Sequence, residues 1–533
     1  MQPSILTCAL AVTAAIAAAR TWRISSAHDY VSAGLGHLVT VTFWRSFLGT
    51  VPWTIVATLV LLAWIRWRWR SPIRLVDRTG VVLATVLLAG AMGTLPGASS
   101  SGPSTNVLLI SIDTLRADHL GVYGYPRPTS PTLDTRLAAA GVVFEQAISQ
   151  SPKTTPSHLT MLTGLSPCAH GVGMWDVDDR RYALSPRVHT LAEYLRNAGY
   201  HTVAFTAGGH VHRTRGLGQG FDRYEHDEPL ARTLAWLERA GPDPFFLFFH
   251  TYEVHDPYAP PARQIARFTS ELPAVFAERV RTIRSHTGDW ESAHRLFWDG
   301  VDTDDPAHVR AVTALYDAGI RRMDEQTLTP LLDALDRLGL AERTLVVLTS
   351  DHGDAFAEHG VFLHDDVYFG TLHVPLVLRL PGRLPAGRRI PAPVALLDLT
   401  PTILDLLGLP IPHGSQGRSL LPLVDGTTTA AARPVVSEYL APDGTAVAEA
   451  VRDGERSYVR HGNGEYLFDL RTDPGERRNR ATEEPHRLTE RREVLRAWRR
   501  DCATVAARHP PARNAQPPDE HTRHRLEALG YIQ

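Results

Sequence analysis

Residues Asn106 to Asp113 read NVLLISID, a continuous apolar run that ends in a carboxylate. A run without alternation suits a strand buried on both faces, which requires helices on both sides of its sheet. Strand patterns recur at Thr202–Thr206, Phe245–His250 and Thr344–Thr349, and helical patterns at Thr132–Ala140 and Thr190–Ala198. Such alternation predicts an α/β fold whose sheet is flanked by helices. Ligands in these sheets bind beyond the carboxyl ends of the strands. Asp113, His250 and Ser350-Asp351-His352 end three of the runs and are therefore the first candidates.

Asp113 alone also suits a turn or cap residue. Asp351-His352-Gly353-Asp354 says more, because two metal-ligand types follow directly on LVVLTS. A carboxylate with an imidazole suits Mn²⁺ or Zn²⁺ better than an all-oxygen calcium cage. The same residues could simply form a capped βα turn. The third element is Lys153-Thr154-Thr155-Pro156-Ser157-His158. Thr155 fits an N-cap, Pro156 the first helical position and Gly164 the stop. Thr154 then precedes a helix N-terminus, where free N–H groups and the dipole favour anionic oxygens. Its hydroxyl can attack an oxyanion ester if a metal lowers its pKa, and it can equally serve as a capping group. Of 55 basic residues only Lys153 is lysine, and a compact ammonium there can neutralise a phosphate or sulfate oxygen.

The whole chain has 533 residues and a formal net charge of −2, which gives no field for gathering nucleic acid. Cys8, Cys168 and Cys502 are too scattered for a zinc site or a disulfide framework. A Cys168–Cys502 bridge stays open at this stage, and a buried free thiol is expected at each position.

Three uncharged stretches precede the soluble body: Ile5–Ala19, Leu48–Ile65 and Thr79–Ala98. The second and third are long enough to cross a bilayer, so residues 1–104 read as a membrane segment of about three transmembrane helices with a linker. Arg66, Arg68, Arg70, Arg74 and Arg78, interleaved with Trp67 and Trp69, mark a cytoplasmic loop between the last two spans. The expectation is a multi-pass cell-membrane protein whose catalytic domain lies on the outer side. Residues 105–432 read as the catalytic core and 433–533 as a smaller α+β subdomain. Short strands are expected there at Pro434–Tyr439 and Tyr458–Arg460. They precede a helix whose Leu488, Leu495, Trp498, Cys502 and Val505 share one face. Arg263–Val309 reads as a helical insertion beside the site, either a lid or a packed connection.

The chain resembles the sulfatases, a branch of the alkaline phosphatase superfamily. The resemblance rests on NVLLISIDTLRADHLGVYGYPRPTSPTLD, TTPSHLTMLTGLSP, FFHTYEVHDPYAPP, TLVVLTSDHGDAFAEHG, LLDLTPTILDLLGLP and the closing HRLEALGYI, among other blocks in order. It implies an alkaline-phosphatase-like sandwich with a central mixed or parallel sheet. It also implies one divalent metal, Mn or Zn before Ca or Mg, held by Asp113, Asp351, His352 and the Thr154 hydroxyl. Thr154 would be the nucleophile beside Lys153, His255 a contact to the ester oxyanion, and His364 the general acid; His250 and His158 are second choices. Four departures from the resemblance matter: Thr154 replaces the Cys or Ser that sulfatases oxidise to formylglycine, His158 replaces the arginine after Pro-Ser, Thr114 replaces a second carboxylate, and Asp351-His352 stand in place of the usual Asp-Asn pair. These point towards threonine-nucleophile relatives. The resemblance therefore implies a hydrolase of sulfate or phosphate esters, acting on a small molecule, a glycan or a lipid headgroup. Its alternatives are a phosphoglycerol- or phosphoethanolamine-type transferase and a catalytically silent anion binder.

Overall fold

The computed structural model describes residues 105–173, 183–285, 290–427, 433–441 and 444–510, which all fall within one compact unit, Ser101–Gln533. The three expected membrane spans and the closing LGYI block lie outside the described residues. Among the described residues, no helix is long and apolar enough to cross a membrane.

NVLLISI forms β1 (Asn106–Ile112), and every one of its residues is buried. It lies between β5 (Phe245–Thr251) and β6 (Thr344–Thr349) and is parallel to both. On the far side of β5 come β3 (His201–Thr206) and β4 (Arg223–His226), again parallel. β7 (Ala355–Phe356) and β8 (Phe362–Leu363) pair with each other in a separate two-stranded sheet, and β9 (His373–Val374) pairs with β2 (Val142–Ile148). The other half of the large sheet is mixed: β10 (Leu376–Arg379) runs antiparallel to β6 and to β2. β2 in turn pairs in parallel with β11 (Arg388–Ala395). The expected strands are thus present to within a residue or two, and the sheet is mixed.

Period-two geometry explains the two cores. Val107 and Leu109, Phe246 and Phe248, and Leu345 and Val347 point to one face, where helices Thr154–Thr163, Leu191–Asn197 and Leu399–Leu406 cover them. Leu108 and Ile110, Leu247 and Phe249, and Val346 and Leu348 point to the other, under helices Pro306–Met323 and Thr329–Arg337. Each fully buried phenylalanine contributes about 1.5–3 kcal/mol. The Arg263–Val309 segment joins this second core through Phe276, Val280 and Phe297, so packed helices are what the described part of it contains.

Two local expectations shift. The pattern at Thr132–Ala140 closes as a short π-helical stretch, Leu133–Ala138. The helix after Lys153 begins at Thr154 rather than at Pro156. Lys153 takes the extended N-cap conformation, and the Thr155 hydroxyl donates to the His210 carbonyl at 2.7 Å instead of capping. Gly164 ends the helix as expected, at φ +69°, a left-handed position that suits glycine.

A second, antiparallel sheet follows: β12 (Val435–Leu440), β13 (Ala446–Arg452), β14 (Arg456–His461) and β15 (Gly464–Asp469). The long helix Pro485–Ala506 buries Leu495, Cys502 and Val505 of its expected face. Cys502 and Cys168 are bonded to each other, which corrects the expectation of free thiols. Their Cα atoms lie 5.6 Å apart although 334 positions separate them in sequence, a proximity that only the tertiary fold creates.

Candidate active site

Because β1, β5 and β6 are parallel, their carboxyl ends reach the same edge of the sheet. Asp113 leaves β1, His250 sits near the end of β5, and Ser350-Asp351-His352 leave β6. Asp113, Asp351 and His352 are fully buried, and their ligand atoms lie within 4.8 Å of one another. The helix Thr154–Thr163 brings its first hydroxyl to this cluster, with Thr154 Oγ1 3.3 Å from His352 Nε2. The four residues proposed as a ligand set on the sequence are therefore together.

Neighbours hold them in place. His250 Nε2 donates to Asp113 Oδ2 at 3.1 Å. The Thr114 and His352 amides donate to Asp351 Oδ1 at 3.3 and 3.0 Å. His158, fully buried, links the Ser111 hydroxyl (2.9 Å) to the Thr154 carbonyl (2.8 Å). Both second-choice histidines thus touch the cluster's framework.

The electrostatics fit a cation. Asp113 Oδ1 and Asp351 Oδ2 are buried without a hydrogen-bond partner. Burial, and then the Asp351 charge, push the Asp113 carboxyl well above its usual range. Burial opposes ionisation of Asp351 too, but His352, His158 and His250 hold it at about 2. Burial lowers His352 to about 4, leaving the neutral imidazole that a metal needs. Two orphaned carboxylate oxygens beside a neutral imidazole and a hydroxyl make a fitting donor set for one divalent metal.

Lys153, His364 and His255 surround the Thr154 hydroxyl's side of the cluster. Lys153 Nζ lies 3.3 Å from His364 Nδ1 and 2.5 Å from Asp365 Oδ1. The His364 ring is 4.4 Å from that of His352 and 5.8 Å from that of His255. Burial, and then the charge of Lys153, push His364 well below the ordinary histidine value.

One group escaped the sequence reading, and a second, Asp354, was named there only as part of its motif. His210 reaches the site from the loop after β3; its amide donates to the Tyr252 hydroxyl at 3.1 Å. Burial, then Arg215, His255 and Lys153, drive its pKa well down. Its signal was available, since β3 is another parallel strand and His210 lies just past its end. Asp354 is fully buried and accepts from the Tyr258 hydroxyl at 2.5 Å; burial raises it to about 7.

The mixed sheet carries carboxylates and an imidazole at the ends of its central parallel strands, and with it goes a family match that places the protein in the alkaline-phosphatase-like superfamily. Residues 105–409 match the sulfatase family, and residues 357–496 match the N-sulphoglucosamine sulphohydrolase C-terminal family. The chain belongs to the sulfatase family of sulfuric ester hydrolases.

Among known relatives, it is 25% identical to arylsulfatase K of Rattus norvegicus over 458 residues, covering 76% of this chain and 80% of that one. It is 27% identical to a Δ4,5-hexuronate-2-O-sulfatase of Bacteroides thetaiotaomicron over 441 residues, covering 75% and 89%. Two solved structures share the fold. One is a protein in complex with its substrate D-glucosamine-2-N,6-O-disulfate (TM-score 0.60, 20% identity, 75% of this chain and 98% of that one). The other is the phosphonate monoester hydrolase of Agrobacterium radiobacter (TM-score 0.60, 23% identity, 75% and 96%).

Proposed function

We propose that this sulfatase-family chain cleaves sulfate and phosphate esters through a covalent intermediate on Thr154. One divalent metal would be held by Asp113, Asp351, His352 and the Thr154 hydroxyl. The observation that carries the reading is the Thr154 hydroxyl at a helix start, 3.3 Å from His352 Nε2 and beside two orphaned carboxylate oxygens. A metal bound there supplies the positive charge that lowers the hydroxyl's pKa and neutralises the ester oxyanion. Thr154 Oγ1 gives up its proton to solvent and attacks the sulfur or phosphorus in line, and the bond to the leaving alcohol breaks. Lys153 and His255 stabilise the charge that develops on the ester oxygens. His364 is neutral before an anion arrives; an incoming ester raises its proton affinity so that it can protonate the leaving alcohol. Water then attacks the intermediate and frees Thr154.

Threonine cannot become formylglycine, so release requires attack at sulfur or phosphorus rather than collapse of a hydrated aldehyde. That constraint favours phosphoesters in the second step, and a phosphonate hydrolase on the same fold is in keeping with it. Relatives named for sulfated sugars support a glycan as the natural alcohol.

We also place the catalytic unit outside a membrane, tethered by the N-terminal segment. Uncharged stretches with a basic loop support this, as does the Cys168–Cys502 bridge, because such bonds persist in oxidising compartments. Protease added to intact cells should release the catalytic unit; full protection would refute the placement.

The test of the chemistry is turnover of aryl sulfate, phosphate monoester and phosphodiester with Mn²⁺ or Zn²⁺, beside Thr154→Ala. Phosphoester turnover should exceed sulfate turnover and vanish in the variant. A stalled reaction should leave a phospho or sulfo group on the Thr154 peptide. Unchanged rates in Thr154→Ala refute the nucleophile. No ester hydrolysis, with transfer to an acceptor alcohol intact, would make the protein a transferase.

A further inference from the structure

The insertion turns one helical face onto a single buried carboxylate. Helix Trp290–Trp298 carries Trp290, His294 and Trp298 at intervals of four residues, so they lie on one side. Trp290 Nε1 donates to the Asp256 carbonyl at 3.1 Å. His294 Nδ1 and Trp298 Nε1 both donate to Asp256 Oδ2, at 2.5 and 3.2 Å. The Trp290 and His294 rings stack, with centroids 4.6 Å apart. Asp256 is 4% exposed, and its remaining oxygens face His255: Nδ1 of that imidazole is 2.8 Å from the Asp256 carbonyl and 3.2 Å from Oδ1. Burial works against an ionised Asp256, but His255, His294 and Trp298 together bring it below the ordinary carboxylate value.

Asp256 is therefore a hub between the insertion and the active site. With Nδ1 engaged on Asp256, the His255 imidazole has only Nε2 left for substrate, and its ring plane is held by the Asp256 carbonyl together with the carboxylate Oδ1 beside it. The carboxylate's other oxygen is fixed from the insertion side. A leucine or phenylalanine at 294 would satisfy packing against Trp290 equally well; only an N–H donor satisfies the buried oxygen.

We propose that His294 is a positioning residue for ester cleavage: through Asp256 it fixes the His255 imidazole with Nε2 turned to the ester oxyanion. This deepens the proposed function and rests on His255 contacting that oxyanion. It gives the insertion a task other than that of a lid.

The test uses the full chain with Mn²⁺, a phosphate ester as substrate and inorganic phosphate as inhibitor. His294→Phe should lower kcat/KM about ten- to a hundred-fold and weaken phosphate inhibition in step. His294→Asn keeps a donor near the Nδ1 position and should recover activity to within about threefold of the parent. In a His255→Ala background, adding His294→Phe should cost nothing further, because the interaction acts through that imidazole. Metal-induced thermal stabilisation, retained in every variant, verifies that each is folded. Parent-like activity in His294→Phe overturns the inference, as do failure of the asparagine to rescue and a full additional loss in the double variant. Parent-like activity in His255→Ala would instead remove the oxyanion contact itself, and so separates failure of the reading beneath from failure of the coupling.

Discussion

Glu438→Gln should change how stability responds to pH. Glu438 lies on β12, 2% exposed, directly across from Glu449 on β13. Arg460 and Arg499 both engage Glu449, while Glu438 receives a long hydrogen bond from the Cys168 amide at 3.3 Å. Burial, then the Glu449 charge, raise its pKa from 4.5 to about 7. The folded chain thus holds a proton that the unfolded chain releases between pH 4.5 and 7. Wherever the native state binds more protons, stability falls as pH rises. At roughly 1.4 kcal/mol per unit, ionising Glu438 in place costs about 3 kcal/mol, fully felt above pH 7. Glutamine is neutral throughout and can accept the same amide. Parent and variant should match near pH 4.5, and the variant should be more stable by about 3 kcal/mol at pH 8. Urea unfolding followed by tryptophan fluorescence at both pH values measures the gap, provided the m-values agree. A gap that stays constant with pH, or widens towards acid, refutes the argument.

Other outcomes follow from the site. Zn²⁺ or Mn²⁺ at a hundred times its Kd should stabilise the chain by about 2.7 kcal/mol, and Asp351→Asn should abolish that gain in a thermal-shift assay. Lys153→Arg should lower kcat/KM at least tenfold, since a planar guanidinium cannot replace a compact ammonium between His364 and Asp365; parent-like activity would return this lysine to chance. His158→Arg, which restores a family residue, should destabilise rather than activate. The imidazole is fully buried between Ser111 and Thr154, so overpacking costs about 1–3 kcal/mol before any charge is buried. Soluble yield and melting temperature read this out.

The central strands were legible because burial on both faces leaves unbroken apolar runs, as in NVLLISI and FFLFFHT. The ligand cluster was legible because parallel strands present their carboxyl ends together, which makes Asp113 and Asp351 neighbours by topology. β13 and β15 were missed: AVAEAVR and GEYLFD mix charges into short runs, where pairing rather than composition decides. The Cys168–Cys502 bond could be named but not decided, and the Asp256 hub was invisible, since each depends on where a distant helix docks. His364 was visible as a residue but not the lowering of its pKa, which burial and then the charge of Lys153 bring about.

Lys153 has one more consequence. Its side chain is 15% exposed and rests at the rim of the Thr154 site, and it is the only lysine in 533 residues. Amine-directed reagents leave arginine untouched, so the candidate site carries the chain's sole side-chain amine. Labelling at that one position, and its protection by an anion, becomes a direct occupancy gauge that needs no knowledge of the natural substrate.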